Sequence, residues 1–440
     1  MQQSANRNAA IGGITRFIGL RPGEFVAVAW SFVYFFSLLS AYYMLRSVRE
    51  AMAIMGGTQN IPWLFTGTFV AMILATPVFG WVASKYPRKQ FLPWVYYFFI
   101  LNILIFFSLF TVAQRNDLEM IWIARAFFVW LSVFNLFVVS VFWSFMADIY
   151  TKEQGRRLFG VISAGGSAGA LLGPLLTSVL VVPLGFQNLL PLSAGLLMFS
   201  VYCVAQLRRW AEQTPSEGHD ASLDTSKPIG GGALAGVRLV LTSPYLGAIA
   251  IGAAFASFMG TATYIYMAQL VSENFTTTDE QTQVFALLDA VTNALALIGQ
   301  LVVVKHVVQR FGIGVSLAVL PIVSVVGFAI LAANPVFIVI ALLQVARRSI
   351  TFGLGKPTSD MLYSVVSPEE KYKAKNFTET ALYRGGDLVG AWVVRMMAGL
   401  GLNGISLVCV PLAAIWTAIA FWLGKDYKRR DRAISEGQEV

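Results

Sequence analysis

Charged residues are scarce in this sequence: Asp, Glu, Lys and Arg together make up 12% of its 440 residues. Soluble domains contain roughly 25% charged residues on average. Hydrophobic residues make up 57% of the chain. A soluble fold of this length could not bury so much apolar surface, because folded domains still expose much of their chain. The composition therefore excludes an ordinary soluble protein and indicates one that lies in lipid.

Cysteine and histidine are almost absent, with two residues of each. Cys203 and Cys409 both lie in apolar runs, where free cysteine behaves as a small hydrophobic residue. His219 and His306 both lie in polar connections. Sequence signatures of serine-hydrolase triads, metal sites and nucleotide-binding loops are missing as well. We therefore expect no enzyme: no catalytic residue, no metal site and no cofactor.

The hydrophobic residues are collected in twelve runs, each long enough to cross a bilayer as a helix, which takes about 20 residues. The sequence therefore predicts an all-α membrane protein with twelve transmembrane helices. We predict these spans at 25–46, 61–84, 91–114, 118–148, 157–182, 186–207, 243–271, 282–304, 313–333, 335–362, 377–400 and 403–424.

One polar connection divides the twelve spans into two pseudo-symmetric halves of six. The segments 151–173 and 367–390 support this division, since each begins with a charged turn and each carries a Gly-xxx-Gly pattern, at Gly169/Gly173 and Gly386/Gly390. The predicted parts are a cytoplasmic N-terminal segment (1–24), a six-helix half (25–208), a cytoplasmic linker (209–242), a second six-helix half (243–424) and a cytoplasmic C-terminal tail (425–440).

The net charge of +9 comes mostly from short connections on one side of the predicted spans. Cytoplasmic loops carry an excess of Lys and Arg in membrane proteins. We therefore expect both termini in the cytoplasm, in a multi-pass protein of a bacterial inner membrane. The same argument removes nucleic acid as a partner, because its binding needs a basic face on a soluble fold. The expected partners are the lipid bilayer and a small-molecule substrate, and we predict a monomer.

The connection between spans 2 and 3, "GWVASKYPRK" (80–89), resembles the signature Gly-x-x-x-Asp-Arg-x-Gly-Arg-Arg/Lys of the major facilitator superfamily. Ser84 and Pro87 replace the Asp and the second Gly of that signature. The resemblance implies the major facilitator fold and transport by alternating access. It also implies a cytoplasmic gate, in which basic residues pair with carboxylates at the end of span 4. The predicted gate residues are Lys85, Arg88, Lys89, Asp148 and Glu153.

Charged residues inside spans 10 and 11 are the first candidates for substrate contacts, since a mid-bilayer charge costs about 2.5–3.5 kcal/mol on insertion scales. In span 11, Thr380, Arg384 and Asp387 share one helical face. In span 10, Lys356 and Asp360 lie in the Gly- and Pro-rich segment 352–360. Two interpretations remain open for the pairs Arg384–Asp387 and Lys356–Asp360: they bind substrate, or they only hold helices together.

The end of span 1, "YYMLRSVRE" (42–50), combines aromatic and basic side chains. Tyr43, Arg46 and Arg49 could stack on a planar ring or bind a phosphate group. The alternative for the tyrosines is an aromatic belt at the membrane interface. In span 8, Asp289 is the single acidic residue within an apolar run, and we take it as a candidate proton site.

Two segments, 42–57 and 367–390, are similar to the ATP/ADP translocase family of nucleotide exchangers. That family ends its first helix with Leu-Arg-Asp-Thr-Lys-Asp and later carries Lys-x-Lys-x-Lys followed by Arg-x-Gly-Lys. The resemblance implies transport of an anionic, phosphate-bearing metabolite. Asp387 stands at the final Lys of the second motif, which argues against the tetra-anion ATP. Positions that match the family or keep its charge are Leu45, Arg46, Arg49, Glu50, Lys371, Lys373, Lys375, Arg384 and Gly386.

The sequence therefore predicts a secondary transporter for a small organic anion that is nucleotide-like or phosphate-bearing. The alternatives are a proton-coupled exporter of amphipathic metabolites or drugs, and a lipid transporter. A membrane scaffold without transport would need no charged residues within its spans, so the charged spans argue against it.

Overall fold

The structure is a computed structural model that describes residue 21 and residues 23–85, 88–213 and 235–436. These residues are almost all helical, and the described ranges contain no strand. Three short turns have π-helical geometry, at Gly299–Val303, Thr351–Gly355 and Phe377–Leu382. The α-helices are α1 Glu24–Met55, α2 Ile61–Lys85, α3 Arg88–Arg115, α4 Ile121–Ile149, α5 Lys152–Leu184, α6 Leu189–Gln213, α7 Ala235–Thr242, α8 Pro244–Asn274, α9 Thr278–Ile298, α10 Val304–Ala333, α11 Phe337–Ile350, α12 Lys356–Leu362, α13 Pro368–Asn376, α14 Tyr383–Met396 and α15 Gly401–Ser435.

The helices reproduce the twelve predicted membrane crossings. Within the described ranges, ten helical segments are long and apolar enough to cross a membrane. One of them, Thr278–Ala333, breaks at Gly312, whose φ of 80° and ψ of 172° are not helical, so it supplies spans 8 and 9. Span 11, predicted at 377–400, lies in a helical segment over 368–396 but carries four charged residues, Glu379, Arg384, Asp387 and Arg395, which lower its hydropathy. The predicted all-α, twelve-helix fold is therefore confirmed.

Helix boundaries differ from the prediction at the polar ends. α6 continues to Gln213 and α7 forms within the predicted linker, whose residues 214–234 lie outside the described ranges. α15 continues to Ser435, into the predicted tail. Asp426 stabilises this extension, because it forms ion pairs one turn ahead with Arg429 and Arg430, at 2.6 and 3.0 Å. Hydropathy could not predict this extension, since it is polar and its support comes from side-chain pairs.

Two compact units divide the chain. Unit 1 comprises Met1–Met52, Val70–Ser226 and Thr278–Ala290, and unit 2 comprises Ala53–Phe69, Lys227–Thr277 and Val291–Val440. Each unit therefore contains a segment from the opposite half of the sequence: the beginning of α9 belongs to unit 1, and the beginning of α2 belongs to unit 2. In unit 2, for example, the Trp392 indole donates to the Thr66 hydroxyl at 3.2 Å.

In unit 1, α5 packs against α1 through a row of glycines. A Cβ atom at Gly165, Gly169 or Gly173 would lie 2.3, 2.3 or 2.7 Å from a backbone carbonyl oxygen of α1. Residues four apart lie on one helical face, so the row forms a continuous smooth surface. This small-xxx-small arrangement is the usual basis of close helix packing in membranes. The Gly169/Gly173 pattern noted in the sequence thus has a packing role.

Gly169→Val is expected to disrupt this packing. Its side chain would meet the Phe36 carbonyl oxygen, which belongs to helix backbone and has no room to move. Overpacking of this kind costs about 3 kcal/mol or more of unfolding free energy. The measurement is the thermal midpoint of the detergent-purified protein. Gly160→Val is the matched control, because nothing lies within 4 Å of a Cβ at that position of the same helix; equal midpoints for the two variants would contradict the packing role.

In unit 2, glycines bring two further helix pairs together. A Cβ at Gly314 of α10 would lie 3.1 Å from the Cα of Gly424 in α15. The π-helical turns after α9 and α11 meet where a Cβ at Gly299 would lie 3.0 Å from the Cα of Gly353. Helical distortions of this type occur often at functional sites. Next to this contact, α11 and α12 carry the charged residues of span 10.

Candidate functional site

Four charged residues of unit 1 form a cluster between α1 and α9, called here the α1 cluster. The Arg49 Nη2 atom donates to the Glu50 carboxylate at 2.7 Å. The Arg46 Nε atom lies 3.8 Å from Glu50 and 3.6 Å from Asp289. Both carboxylates are buried, with 5% and 2% of the surface of Glu50 and Asp289 exposed. The α1 cluster contains two guanidinium groups and two carboxylates, so its charges balance.

Aromatic rings complete the α1 cluster. The Arg46 guanidinium lies over the Tyr43 ring, 5.4 Å from its centroid, and the Arg49 guanidinium lies 4.7 Å from the Phe128 centroid. The structure thus brings together the four predicted residues Tyr43, Arg46, Arg49 and Asp289. Asp289 is distant in sequence from the other three, and no spacing rule could have predicted this contact. The tyrosine at 43 serves as a cation–π partner here.

Lys356 lies in a second balanced group in unit 2, called here the lysine quartet. It pairs with Asp360 at 3.0 Å and with Glu379. Lys375 pairs with Asp360 at 2.9 Å and lies 3.8 Å from Glu379. The predicted Lys356–Asp360 pair is therefore present, inside a larger network of two lysines and two carboxylates. All four side chains are partly exposed, so their ion pairs are weakened by solvent screening.

Arg384 and Asp387 do not form an ion pair, although they are three residues apart. The Asp387 carboxylate faces α8, where it accepts hydrogen bonds from the hydroxyls of Ser257 at 2.7 Å and Thr261 at 3.4 Å. Gly386 allows this approach, because a Cβ there would lie 2.7 Å from the Ser257 hydroxyl. Arg384 is exposed and makes no hydrogen bond or ion pair with any described residue. The Thr380 side chain lies outside the described residues.

Arg347 of α11 is a buried cation with neutral partners, and 4% of its surface is exposed. Its Nη1 atom donates to the Thr263 hydroxyl at 2.8 Å, and its Nη2 atom donates to the Ala256 carbonyl at 3.3 Å. Among the described residues, no carboxylate pairs with Arg347, and its Nε atom has no hydrogen-bond partner. Arg347 is not among the site residues predicted from the sequence, although its position inside an apolar run is a signal that could have identified it.

Tyr383 lies close to several of these charged side chains. The charged groups of Asp387, Arg347, Arg384 and Arg348 all lie near its hydroxyl group. These groups, called here the Tyr383 cluster, are the guanidinium groups of Arg347, Arg348 and Arg384 and the carboxylate of Asp387. The α1 cluster and the lysine quartet each contain equal numbers of cations and carboxylates. The Tyr383 cluster differs from both because neither Arg347 nor Arg384 forms an ion pair with a described residue, which is an arrangement that favours an anion.

The predicted gate is described only in part. Lys85 lies over the Trp81 ring at 4.9 Å, and Glu153 pairs with Arg21 at 2.6 Å. The Arg88 and Lys89 side chains lie outside the described residues, so the pairing of this group with Asp148 stays a prediction. Two residues after Asp148, burial raises the pKa of Tyr150 to about 12. The Tyr150 hydroxyl is therefore neutral at pH 7, and it forms a hydrogen bond with Ser31 at 2.9 Å.

Comparisons with known proteins agree with the fold and the motifs. A family model described as Major Facilitator Superfamily matches residues 25–376. A relative described as ADP,ATP carrier protein 2, from Chlamydia pneumoniae, is 21% identical over 477 residues, which cover 88% of this chain and 86% of the relative. The resemblances predicted from the sequence motifs are thus confirmed.

Three solved structures of similar fold are each described as a transporter or as a homologue of one. A bacterial homologue of the iron transporter ferroportin, in an inward-facing state, has a TM-score of 0.67 and 14% identity, covering 90% of this chain and 98% of its own. The nucleoside transporter NupG has a TM-score of 0.58 and 14% identity, covering 92% and 98%. A POT family transporter in complex with 5-aminolevulinic acid has a TM-score of 0.61 and 10% identity, covering 91% and 96%. At these identities the likeness concerns the fold alone.

Proposed function

The chain belongs to the major facilitator superfamily, and on that basis we propose that it is a secondary transporter that carries a small organic anion by alternating access. The observation that carries the proposal is the Tyr383 cluster, in which Arg347 and Arg384 form no ion pair with any described residue. Arg384 is exposed and has no ion-pair partner among the described residues, so it is available to an anionic group. Arg347 adds a second positive charge to the same cluster.

The free-energy cost of placing an arginine inside a membrane span supports a binding role for Arg347 and Arg384. An arginine in a membrane span costs about 2.5–3.5 kcal/mol on insertion scales, and such residues usually face a partner or a pathway. The α1 cluster and the lysine quartet meet this cost with their own carboxylates. Arg347 has only neutral acceptors, the Thr263 hydroxyl and the Ala256 carbonyl. A bound anion would supply the countercharge that the described residues do not.

Asp387 limits the negative charge that we propose for the substrate. Its carboxylate accepts hydrogen bonds from the hydroxyls of Ser257 and Thr261, and neither of these neutral groups supplies a countercharge. A highly charged nucleotide would be repelled by it. We therefore propose a phosphate-bearing metabolite with fewer charges than ATP. The name of the relative, an ADP,ATP carrier, supports an anionic phosphate ester as the class of substrate.

A proton-coupled carrier is the second candidate, because Asp289 is a buried carboxylate in contact with Arg46. Protonation of Asp289 would weaken its hold on Arg46 and change the charge of the α1 cluster. Asp289 is thus the proposed proton site, and Arg46 and Arg49 are the proposed substrate contacts in unit 1. Lys356 is a further proposed contact, although the quartet already provides its counterions.

The test of the anion proposal compares pairs of compounds that differ only by a phosphate group. Adenosine with AMP, glycerol with glycerol 3-phosphate, and glucose with glucose 6-phosphate are each added to the purified protein, and the thermal midpoint is measured. We expect the phosphorylated member of at least one pair to stabilise the protein more. Uptake of that compound into proteoliposomes, with and without the same compound inside, then distinguishes exchange from net transport. Equal or stronger stabilisation by the neutral members would contradict an anionic substrate.

The membrane orientation is also a proposal: an inner-membrane protein with both termini in the cytoplasm. Cys203 and Cys409 are both free and buried, so they can be replaced to give a cysteine-free background. Single cysteines at Asn116 or Thr278 are then expected to react with an impermeant maleimide in intact cells. Cysteines at Ser84 or Ser222 should react only after the cells are opened. Labelling of the second pair in intact cells would reverse the proposed orientation.

A further inference from the structure

Unit 2 contains a partly open cavity of about 180 Å³. Its wall is formed by residues of α8, α10, α12, α14 and α15 together with the adjoining π-helical turns, so it lies within a single helical unit. Most of the lining is apolar, for example Ile249, Ala253, Leu317, Leu320, Trp416 and Ile419, and the ion pair of Lys356 with Glu379 also lines the cavity. An apolar cavity of about 150 Å³ is large enough to hold a benzene molecule.

The cavity adjoins the Tyr383 cluster. Tyr383 is itself part of the cavity wall, and the charged groups of Arg384, Arg347 and Asp387 lie near its hydroxyl. Ala256 also lines the cavity, and its carbonyl accepts the hydrogen bond from Arg347. An apolar space of limited size and a group of cations therefore share one wall. Such a pair matches an amphipathic anion, with a charged group at one end and a small apolar body at the other.

We propose that this cavity holds the apolar body of the substrate while its anionic group binds Arg384. This inference rests on the proposed function and specifies its substrate as an anion with one small ring or a short branched chain. A volume of about 180 Å³ suits one small ring or a short branched chain. The neighbouring arginines disfavour a cationic drug by repulsion. A wholly hydrophilic anion would bind at Arg384 and leave the cavity empty.

The test uses phenyl phosphate and inorganic phosphate as probes of the full-length protein. Both carry the anionic group, and only phenyl phosphate carries an apolar ring. We expect the dissociation constant of phenyl phosphate to be at least about tenfold lower, since burial of one small apolar group commonly contributes that much. Ala253→Leu, which fills the cavity, should raise the constant for phenyl phosphate to that for inorganic phosphate and leave the latter unchanged.

Two further variants test whether the loss of preference for phenyl phosphate comes from filling the cavity. Ala254→Leu is the matched control, because Ala254 adjoins Ala253 in α8 but does not line the cavity; it should keep the tenfold preference. If Ala253→Leu does not fold, Gly252→Ala replaces it, since a Cβ there would lie at an ordinary 3.6 Å from the Trp416 indole nitrogen. It is expected to reduce the preference at least about threefold, in proportion to the smaller volume filled.

The outcomes separate the cavity from the anion site. If both probes bind equally to the wild-type protein and both lose affinity in Arg384→Gln, the anion proposal stands and the cavity inference is wrong. If phenyl phosphate is preferred but the cavity variants keep that preference, the ring binds elsewhere and the inference is also wrong. If neither probe binds, both the anion proposal and the inference are overturned.

Discussion

Arg384→Gln is expected to weaken substrate binding by about 2–3 kcal/mol, the usual contribution of a charge-assisted hydrogen bond. This corresponds to roughly a 30- to 150-fold rise in the dissociation constant. The reason is that Arg384 has no ion-pair partner among the described residues, so its charge is available to the anion. Arg384→Lys should recover only part of the affinity if the arginine contacts the anion through two N–H groups.

Asp387→Asn distinguishes a binding role of Arg384 from a structural one. Asp387 accepts hydrogen bonds from Ser257 and Thr261 and forms none with Arg384, so removing its charge should leave the double variant with Arg384→Gln well below wild-type affinity. Alone, Asp387→Asn should tighten anion binding, because it removes a like charge from the site. The measurement is the dissociation constant of the stabilising phosphate ester for the two single variants and the double variant. Wild-type affinity in the double variant would make Arg384 a structural partner of Asp387.

Arg395→Gln is the matched control for this series. Arg395 belongs to the same helix, α14, and its guanidinium donates to the Gln59 carbonyl. The substitution removes the same charge from the same helix but leaves the Tyr383 cluster intact. We expect the dissociation constant to stay within about twofold of the wild-type value. A loss equal to that of Arg384→Gln would indicate a nonspecific effect of net charge.

Asp289→Asn is expected to destabilise unit 1 by up to about 3–5 kcal/mol, because it leaves a partly buried arginine with one fewer countercharge. Arg46 keeps Glu50 at 3.8 Å, which reduces the loss. The double variant Arg46→Gln, Asp289→Asn should regain most of the stability, since both members of the pair are neutral. Thermal midpoints of the three variants give the coupling energy. Additive losses would show that Arg46 and Asp289 do not interact.

The proton role of Asp289 needs a separate readout. If Asp289 takes up the coupling proton, Asp289→Asn should abolish the pH dependence of uptake into proteoliposomes, whereas a structural role would lower uptake equally at every pH. Asp279→Asn in the same helix is the control: Asp279 accepts a hydrogen bond from the Phe186 backbone N–H at 2.7 Å, and the amide oxygen of Asn can still accept it. An unchanged pH profile in Asp289→Asn would remove Asp289 from the proton pathway.

Some of the site residues were accessible from the sequence and others were not. Arg46, Arg49, Arg384 and Asp387 could be chosen because charge within an apolar run is costly wherever the helix lies. Their partners could not be chosen, since Asp289 and Arg46 are far apart in sequence. The Lys356–Asp360 pair follows from spacing along one helix. Arg384 and Asp387 are one turn apart but do not form an ion pair, because a hydroxyl group of α8 donates a hydrogen bond to Asp387 instead.

By itself the sequence determined the class of fold: an all-helical membrane protein with twelve spans and the motifs of one transporter superfamily. Lipid makes this possible, because every backbone polar group must be satisfied within a helix, and a helix that crosses the bilayer has a length readable along the chain. Tertiary structure alone decided which charges are neutralised. The rotation and contacts of neighbouring helices leave Arg347 with neutral partners and Arg384 exposed, and they create the cavity beside Tyr383. These depend on side-chain directions between helices, which no spacing within one helix specifies.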